Sequence, residues 1–153
     1  CSSDLLEEDK LLTLADSNYV LIEFMPAVPY SEICTAVQNL SRTRYVPVIA
    51  HAERYRCLRK GKRLEELIGL DALIQMNYRS VGGSWHDVTA RWCRDNLKKG
   101  NVHLMGTDMH NTGNRMPDTK EAMCWMRTHL DRKYLKKITK DNALRITENK
   151  LIR

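Results

Sequence analysis

The chain has 153 residues, 42% of them apolar and 29% charged, with 25 Lys and Arg against 19 Asp and Glu and a formal net charge of +6. That size predicts one domain with a real core, and the composition excludes disordered, collagen-like and low-complexity classes. No apolar run approaches the roughly 20 residues of a membrane helix and Cys1-Ser2-Ser3-Asp4 is no signal peptide, so a cytoplasmic chain without membrane insertion is expected.

In chain order, an amphipathic stretch at 5–15 precedes the first of four short apolar runs. These runs, at 19–24 (YVLIEF), 46–50 (VPVIA), 72–76 (ALIQM) and 102–106 (VHLMG), are nearly continuous, as expected of parallel strands covered on both faces. Their starts lie 27, 26 and 30 residues apart, and stretches of helical length at 31–40, 58–68 and 86–98 fill the intervals. Lys99-Gly100 reads as a helix end. Further helices are predicted at 119–130, 132–138 and 141–149, and loops at 25–29 and 79–84, the second carrying Gly82-Gly83. A strand followed by a helix, repeated four times, predicts an α/β fold with a parallel sheet in a single domain. The repeat is one of structure, since the units share no residue motif.

Polar residues stand where the apolar runs end. Glu23 closes the first run, and His51 follows the second, leading into Ala52-Glu53-Arg54. Gln75 and Asn77 flank the end of the third, and Thr107-Asp108-Met109-His110-Asn111 follows the fourth, with Arg115 a few residues on. In parallel α/β proteins, ligands and catalytic groups collect at the C-terminal ends of the strands. Glu, His, Asp and His converging there supply carboxylate oxygen and imidazole nitrogen, a hard-to-borderline metal set. Asp108 and His110 are two apart, so in an extended segment both side chains point the same way.

Each residue alone also fits a structural role. Glu23 could be a core carboxylate paired with an arginine, and His51 a hydrogen-bonded loop residue. Four such residues at three strand ends are harder to explain separately, and together they favour the metal reading. His86, His103 and His129 lack this placement and read as structural.

Other features are weaker. Cys57 to Arg63 matches C-x5-R, the phosphate-loop spacing of cysteine-dependent phosphatases, but the strand before it ends at Ala50 instead of at the cysteine. Five cysteines without a CxxC pair fit reduced thiols better than a disulfide framework or a zinc ribbon. The net positive charge suits an anionic partner. The basic stretch of Arg42, Arg44, Arg54, Arg56, Arg59, Lys60, Lys62 and Arg63 carries no nucleic-acid-binding signature, so no nucleic-acid partner is expected. Met123, Trp125 and Met126 read as core packing.

Leu21-Ile22-Glu23-Phe24, Ile49-Ala50-His51-Ala52-Glu53-Arg54-Tyr55, Gln75-Met76-Asn77 and Thr107-Asp108-Met109-His110-Asn111 together resemble consecutive motifs of the PHP (polymerase and histidinol phosphatase) superfamily. The branch they resemble is that of bacterial tyrosine phosphatases associated with capsule and exopolysaccharide synthesis. Arg115-Met116-Pro117 and Glu148-Asn149 fall in matching order and spacing, so the resemblance covers nearly the whole chain.

The resemblance implies a distorted (βα)7 TIM-like barrel, of which this chain would hold about four parallel βα units plus the C-terminal helices. It implies a cluster of up to three metals, usually Mn2+, at the C-terminal face, and hydrolysis of phosphotyrosine by a metal-activated water without a cysteine nucleophile. Carried over by position, Glu23, His51, Asp108 and His110 would be metal ligands. Arg54 and Arg115 would hold the phosphate and, with His110, serve catalysis, and Asn77 would lie on the substrate side. The implied partner is a phosphotyrosine protein, the tyrosine-rich tail of a bacterial kinase.

Three small departures, Ala52 for the usual proline, Met25 before Pro26 and Met109 for alanine, leave the ligand types intact. A larger one is that the family opens with an H-x-H metal motif on an earlier strand, and residues 1–18 contain none. The chain is therefore expected to be the C-terminal portion of such a barrel, inactive or weak alone. Two other readings stay open: a PHP phosphoesterase acting on a small ester such as histidinol phosphate, and a non-catalytic remnant that binds phosphotyrosine through Arg54 and Arg115. The open strand edges of four βα units also suggest pairing in a homo-oligomer.

Overall fold

The computed structural model of the protein describes residues 13–108 and 119–152. Four strands, β1 (Tyr19–Ile22), β2 (Val46–Ile49), β3 (Leu73–Asn77) and β4 (Leu104–Gly106), lie parallel in the order β1-β2-β3-β4. Spatial order equals chain order, so each connection returns the chain to the next position in the sheet. In register, Ile22 stands beside Ile49, Ile49 beside Ile74 and Asn77 beside Gly106. This brings the C-terminal ends of all four strands to one edge.

The helices are α1 (Tyr30–Ser41), α2 (Arg63–Gly69), α3 (Tyr78–Gly82), α4 (Val88–Lys99), α5 (Lys120–His129), α6 (Arg132–Lys136) and α7 (Asn142–Thr147). Their apolar stripes cover the sheet from both sides. Ile49, Ile74 and Met76 meet Ile33 and Val37 of α1, Leu67 of α2, Leu97 of α4 and Met126 of α5 in the main core. Tyr19, Val48, Leu73 and Leu104 point the other way and pack with Ile146 of α7. Neighbours such as Val48 and Ile49 thus enter different clusters, because successive side chains of a strand project to opposite faces. Burial on both faces explains why the strands read as continuous apolar runs instead of alternating ones.

The expected helices 31–40, 86–98 and 119–130 are present within a residue or two. At α4 the caps follow local chemistry. The Asp87 carboxylate accepts the backbone N–H groups of Thr89 and Ala90, and Gly100 closes the helix at φ 79°.

Four expectations differ. The stretch 5–15 lies largely outside the described residues, and its described end is a 3-10 turn, Leu14–Asp16, beside an antiparallel bridge from Thr13 to Val20. The helix expected at 58–68 is divided into a 3-10 turn, Arg56–Arg59, and α2, because Gly61 between them takes φ +59°, which a right-handed helix excludes. The loop expected at 79–84 is instead α3, which follows β3 directly and buries Val81 completely. The helices expected at 132–138 and 141–149 are joined by a π-helical turn, Lys137–Asp141, which carries the buried Ile138. A π turn inserts a residue without ending the helix, a change that the apolar pattern does not reveal. Among the described residues, no helix is long and apolar enough to cross a membrane.

Candidate metal and phosphate site

Glu23, His51, Arg54, Asn77 and Asp108 all lie at the C-terminal edge of the sheet. Glu23 immediately follows β1, and His51 lies two residues beyond β2. Arg54 ends the 3-10 turn Ala52–Arg54, Asn77 ends β3, and Asp108 lies two residues beyond β4. His51 Nε2 stands 2.8 Å from Glu23 Oε1, the imidazole nearly buried and the carboxylate open to solvent. Arg54 pairs with Asp108 through Nη2 and Oδ2, and Asn77 Nδ2 donates to the same oxygen at 3.3 Å. The expected residues therefore form two groups, each in internal contact, at the ends of four adjacent strands, a placement that no sequence spacing specifies. His110 and Arg115 lie outside the described residues.

The backbone turns sharply at two of these positions. His51 has φ 33° and Asp108 φ 51°, both left-handed. For a residue with a side chain that conformation costs about 1–2 kcal/mol, and such strain concentrates where a side chain must be aimed at a site. Here it re-aims the chain as it leaves β2 and β4.

Two neighbours that sequence reading left without a role hold this edge together. Glu53 is buried, and its Oε1 accepts the Asn77 backbone N–H at 3.2 Å and the Ser80 hydroxyl at 3.0 Å. Arg59 Nη2 donates to the Glu53 carbonyl at 2.8 Å and to Thr89 Oγ1 at 3.0 Å, so the turn is also tied to α4. Burial pushes the Glu53 carboxyl above its ordinary pKa, against the opposing pull of these hydrogen bonds. Tyr55 is fully buried, and its hydroxyl accepts the Phe24 N–H at 2.9 Å, anchoring the residue next to Glu23. Tyr55→Phe should cost about 1–2 kcal/mol by leaving that N–H without an acceptor, measurable as a lower midpoint in chemical denaturation. Both residues sit inside the quoted motif around His51, but only burial distinguishes them from surface neighbours.

The alternative features resolve physically. Burial pushes the Cys57 thiol up, away from the thiolate that a nucleophile needs. Arg63 Nη1 donates to the Cys57 carbonyl at 3.1 Å, so the C-x5-R spacing forms an arginine-to-backbone contact. Other basic residues of that stretch lie over the chain's own rings, Arg59 over Trp92 and Arg63 over Tyr30. His103 is structural, accepting the Ile74 N–H on Nδ1 at 3.1 Å near the start of β4. His129 stacks on Trp125 within α5.

Residues 2–148 match the family described as capsular polysaccharide synthesis, CpsB/CapC. The chain belongs to the CpsB/CapC family. Tyrosine-protein phosphatase CpsB of Streptococcus pneumoniae is 33% identical over 153 residues, which is 96% of this chain and 63% of that protein. Tyrosine-protein phosphatase YwqE of Bacillus subtilis is 32% identical, covering 77% of this chain and 47% of that protein. A chain from the crystal structures of YwqE and S. pneumoniae CpsB, metal-dependent tyrosine phosphatases, superposes with a TM-score of 0.82 at 28% identity. It covers 99% of this chain and 61% of that one. This CpsB/CapC chain thus spans about three-fifths of S. pneumoniae CpsB and of the superposed chain.

The side chains at this edge suit a divalent cation in type. Two ligands about 2.1 Å from one octahedral ion stand roughly 3 Å apart, close to the separation of His51 Nε2 and Glu23 Oε1. Buried His51 Nδ1 and Glu53 Oε2 find no hydrogen-bond partner among the described residues. Among the described residues no group of three or more His, Cys, Asp or Glu side chains is assembled for a metal. Glu23 and His51 are therefore a pair of donors, with Asp108 held close by through Arg54 and Asn77.

Proposed function

We propose that the C-terminal edge of this sheet is the cation- and phosphate-binding face of a metal-dependent protein tyrosine phosphatase. The observation that carries the reading is that the Glu23–His51 pair and the Arg54–Asp108 pair both stand at the C-terminal ends of four adjacent strands. Glu23, His51, Asp108 and His110 would hold the cation, for which the mixed oxygen and nitrogen donors suit Mn2+. When bound, the cation supplies positive charge to the phosphate oxygens and acidifies a water. Arg54, nearly half exposed, offers a planar fork of donors to phosphate oxygens, and Arg115 would provide a second. Glu53 and Tyr55 hold the backbone behind these groups. Asn77 is buried with its amide engaged by Gln75 and Asp108, so its part in substrate binding would be exerted through Asp108.

The strand order supports the wider architecture. Parallel strands that follow one another without a switch in direction are the pattern of a (βα) barrel, of which residues 1–153 would form the C-terminal part of a PHP domain. The substrate would be phosphotyrosine on the tail of a cytoplasmic kinase in capsule or exopolysaccharide synthesis. Among the described residues β4 and, beyond the short Thr13–Val20 bridge, β1 end the sheet, and these edges are where pairing with further strands or another copy would occur.

The test is hydrolysis of a phosphotyrosyl peptide by a polypeptide carrying these 153 residues within the full length of its relatives. Turnover that requires Mn2+, survives Cys57→Ser and falls about a hundredfold or more on Arg54→Ala is expected. Turnover indifferent to a chelator, or abolished by Cys57→Ser, would overturn the reading.

A further inference from the structure

One side chain links the two halves of the site from below. Gln75 lies in β3, one residue beyond the Ile74–Ile49 pair with β2 and in register with Leu104 of β4, two residues before Gly106. Its Oε1 accepts the His51 backbone N–H at 2.5 Å. Its Nε2 donates to the Met76 carbonyl and to Asn77 Oδ1, each at 2.9 Å. His51 N–H can only donate, whereas the Met76 carbonyl and Asn77 Oδ1 can only accept. One orientation of the amide satisfies all three partners.

The chain continues past Gln75. With its oxygen engaged by Gln75, the Asn77 amide is turned so that Nδ2 reaches Asp108 Oδ2, the oxygen that also pairs with Arg54. The room for this arrangement comes from β4, where a Cβ at Gly106 would collide with the Gln75 amide nitrogen. His51 and Asp108 are the two site residues held in left-handed backbone, and this relay reaches both.

We infer that Gln75 is a positioning residue, fixing the His51 backbone and, through Asn77, the Asp108 carboxylate as one unit. It acts through these two residues, its own amide being engaged by His51, Met76 and Asn77. The inference rests on the proposed cation-binding role of this edge only for its second measurement. Gln75→Leu removes all three hydrogen bonds at similar size. Gln75→Glu keeps the acceptor for His51 but sets a carboxylate oxygen against two oxygen acceptors, so it separates the His51 arm from the Asn77 arm.

The test combines amide hydrogen exchange on the metal-free chain with titration of Mn2+ alone. Ile146→Ala, a core change in α7, serves as a destabilised control. In Gln75→Leu, exchange at the His51 N–H should rise about tenfold while Ile49 and Ile74 stay protected, the equivalent of one lost hydrogen bond. Mn2+ affinity should fall about 10–100-fold in both Gln75 variants, the usual effect of losing a group that orients a ligand, and remain at the wild-type value in Ile146→Ala. Gln75→Glu should keep His51 protected. Unchanged His51 exchange in Gln75→Leu, or Mn2+ affinity no weaker than in Ile146→Ala, would overturn the role of Gln75. If His51 exchange rises as expected but the wild-type chain binds no Mn2+, the cation reading fails and the positioning role stands.

Discussion

On the proposed function, replacing His51 with alanine in the full-length polypeptide is expected to lower Mn2+-dependent phosphatase turnover about a thousandfold or more, because a bound cation would contribute several kcal/mol of charge stabilisation to phosphoryl transfer. The same change should move the melting temperature little. His51 is 6% exposed, its ring lies 6.0 Å from that of Tyr55 and its Nε2 lies 2.8 Å from Glu23, so its loss removes packing and that contact. That loss is worth about 1–2 kcal/mol. Its buried Nδ1 finds no partner among the described residues, and removing it relieves a cost of about 1–3 kcal/mol. The two terms oppose, so any net destabilisation stays within about 1 kcal/mol, a drop of roughly 2–4 °C at most for a domain of this size. Turnover measured beside a thermal melt separates the possibilities. A fall in turnover matched by a large drop in melting temperature would mark His51 as structural, and undiminished turnover would remove it from the site.

Acid is expected to destabilise the fold through His103, at the opposite end of the sheet. Burial, with a smaller effect from Lys137 nearby, lowers its pKa from 6.5 to about 4. The unfolded chain therefore binds a proton at this side chain as pH falls through 6.5, whereas the folded chain does so only near 4. Between these values the unfolded state holds more protons, so stability falls as pH is lowered and is unaffected by this group above about 7. The full contribution is about 3 kcal/mol. The neutral ring is required by its hydrogen bond, since Nδ1 accepts the Ile74 N–H and a protonated imidazole accepts nothing. His103→Gln offers an oxygen acceptor that does not titrate. Denaturation midpoints at pH 7 and pH 4.5 should diverge in the wild type and converge in His103→Gln. Glu53 works with the opposite sign, because its raised pKa favours the folded state as pH falls, so the difference between variant and wild type isolates His103. Equal pH dependence in the two proteins would refute the assignment.

The ends of the strands were legible in the sequence because two independent signals coincide there. Continuous apolar runs end, and residues with oxygen or nitrogen donors begin. Glu23, His51, Arg54, Asn77 and Asp108 are candidates on that basis together with the family resemblance, and the structure places all five at that edge. Glu53 is not among these candidates, although it lies between two of them. A carboxylate beside an arginine looks solvated in sequence, and only the packing of α3 and α4 against the turn shows it buried on Ser80 and Asn77. The same holds for α3 itself, where Gly82 and Gly83 suggested a loop but burial of Val81 favours a helical turn.

By itself the sequence determined the number and order of the βα units and the chemical character of the edge where they end. It did so because burial on both sheet faces, helix periodicity and capping are local demands on residue type. Only the tertiary structure decided which donors meet. The pairing of Glu23 with His51, and of Arg54 with Asp108 across three strands, depends on strand register and on two left-handed turns. So does the path from His51 through Gln75 and Asn77 to Asp108. Those are long-range relations in space, and residue types along a single chain specify them only once the sheet has assembled.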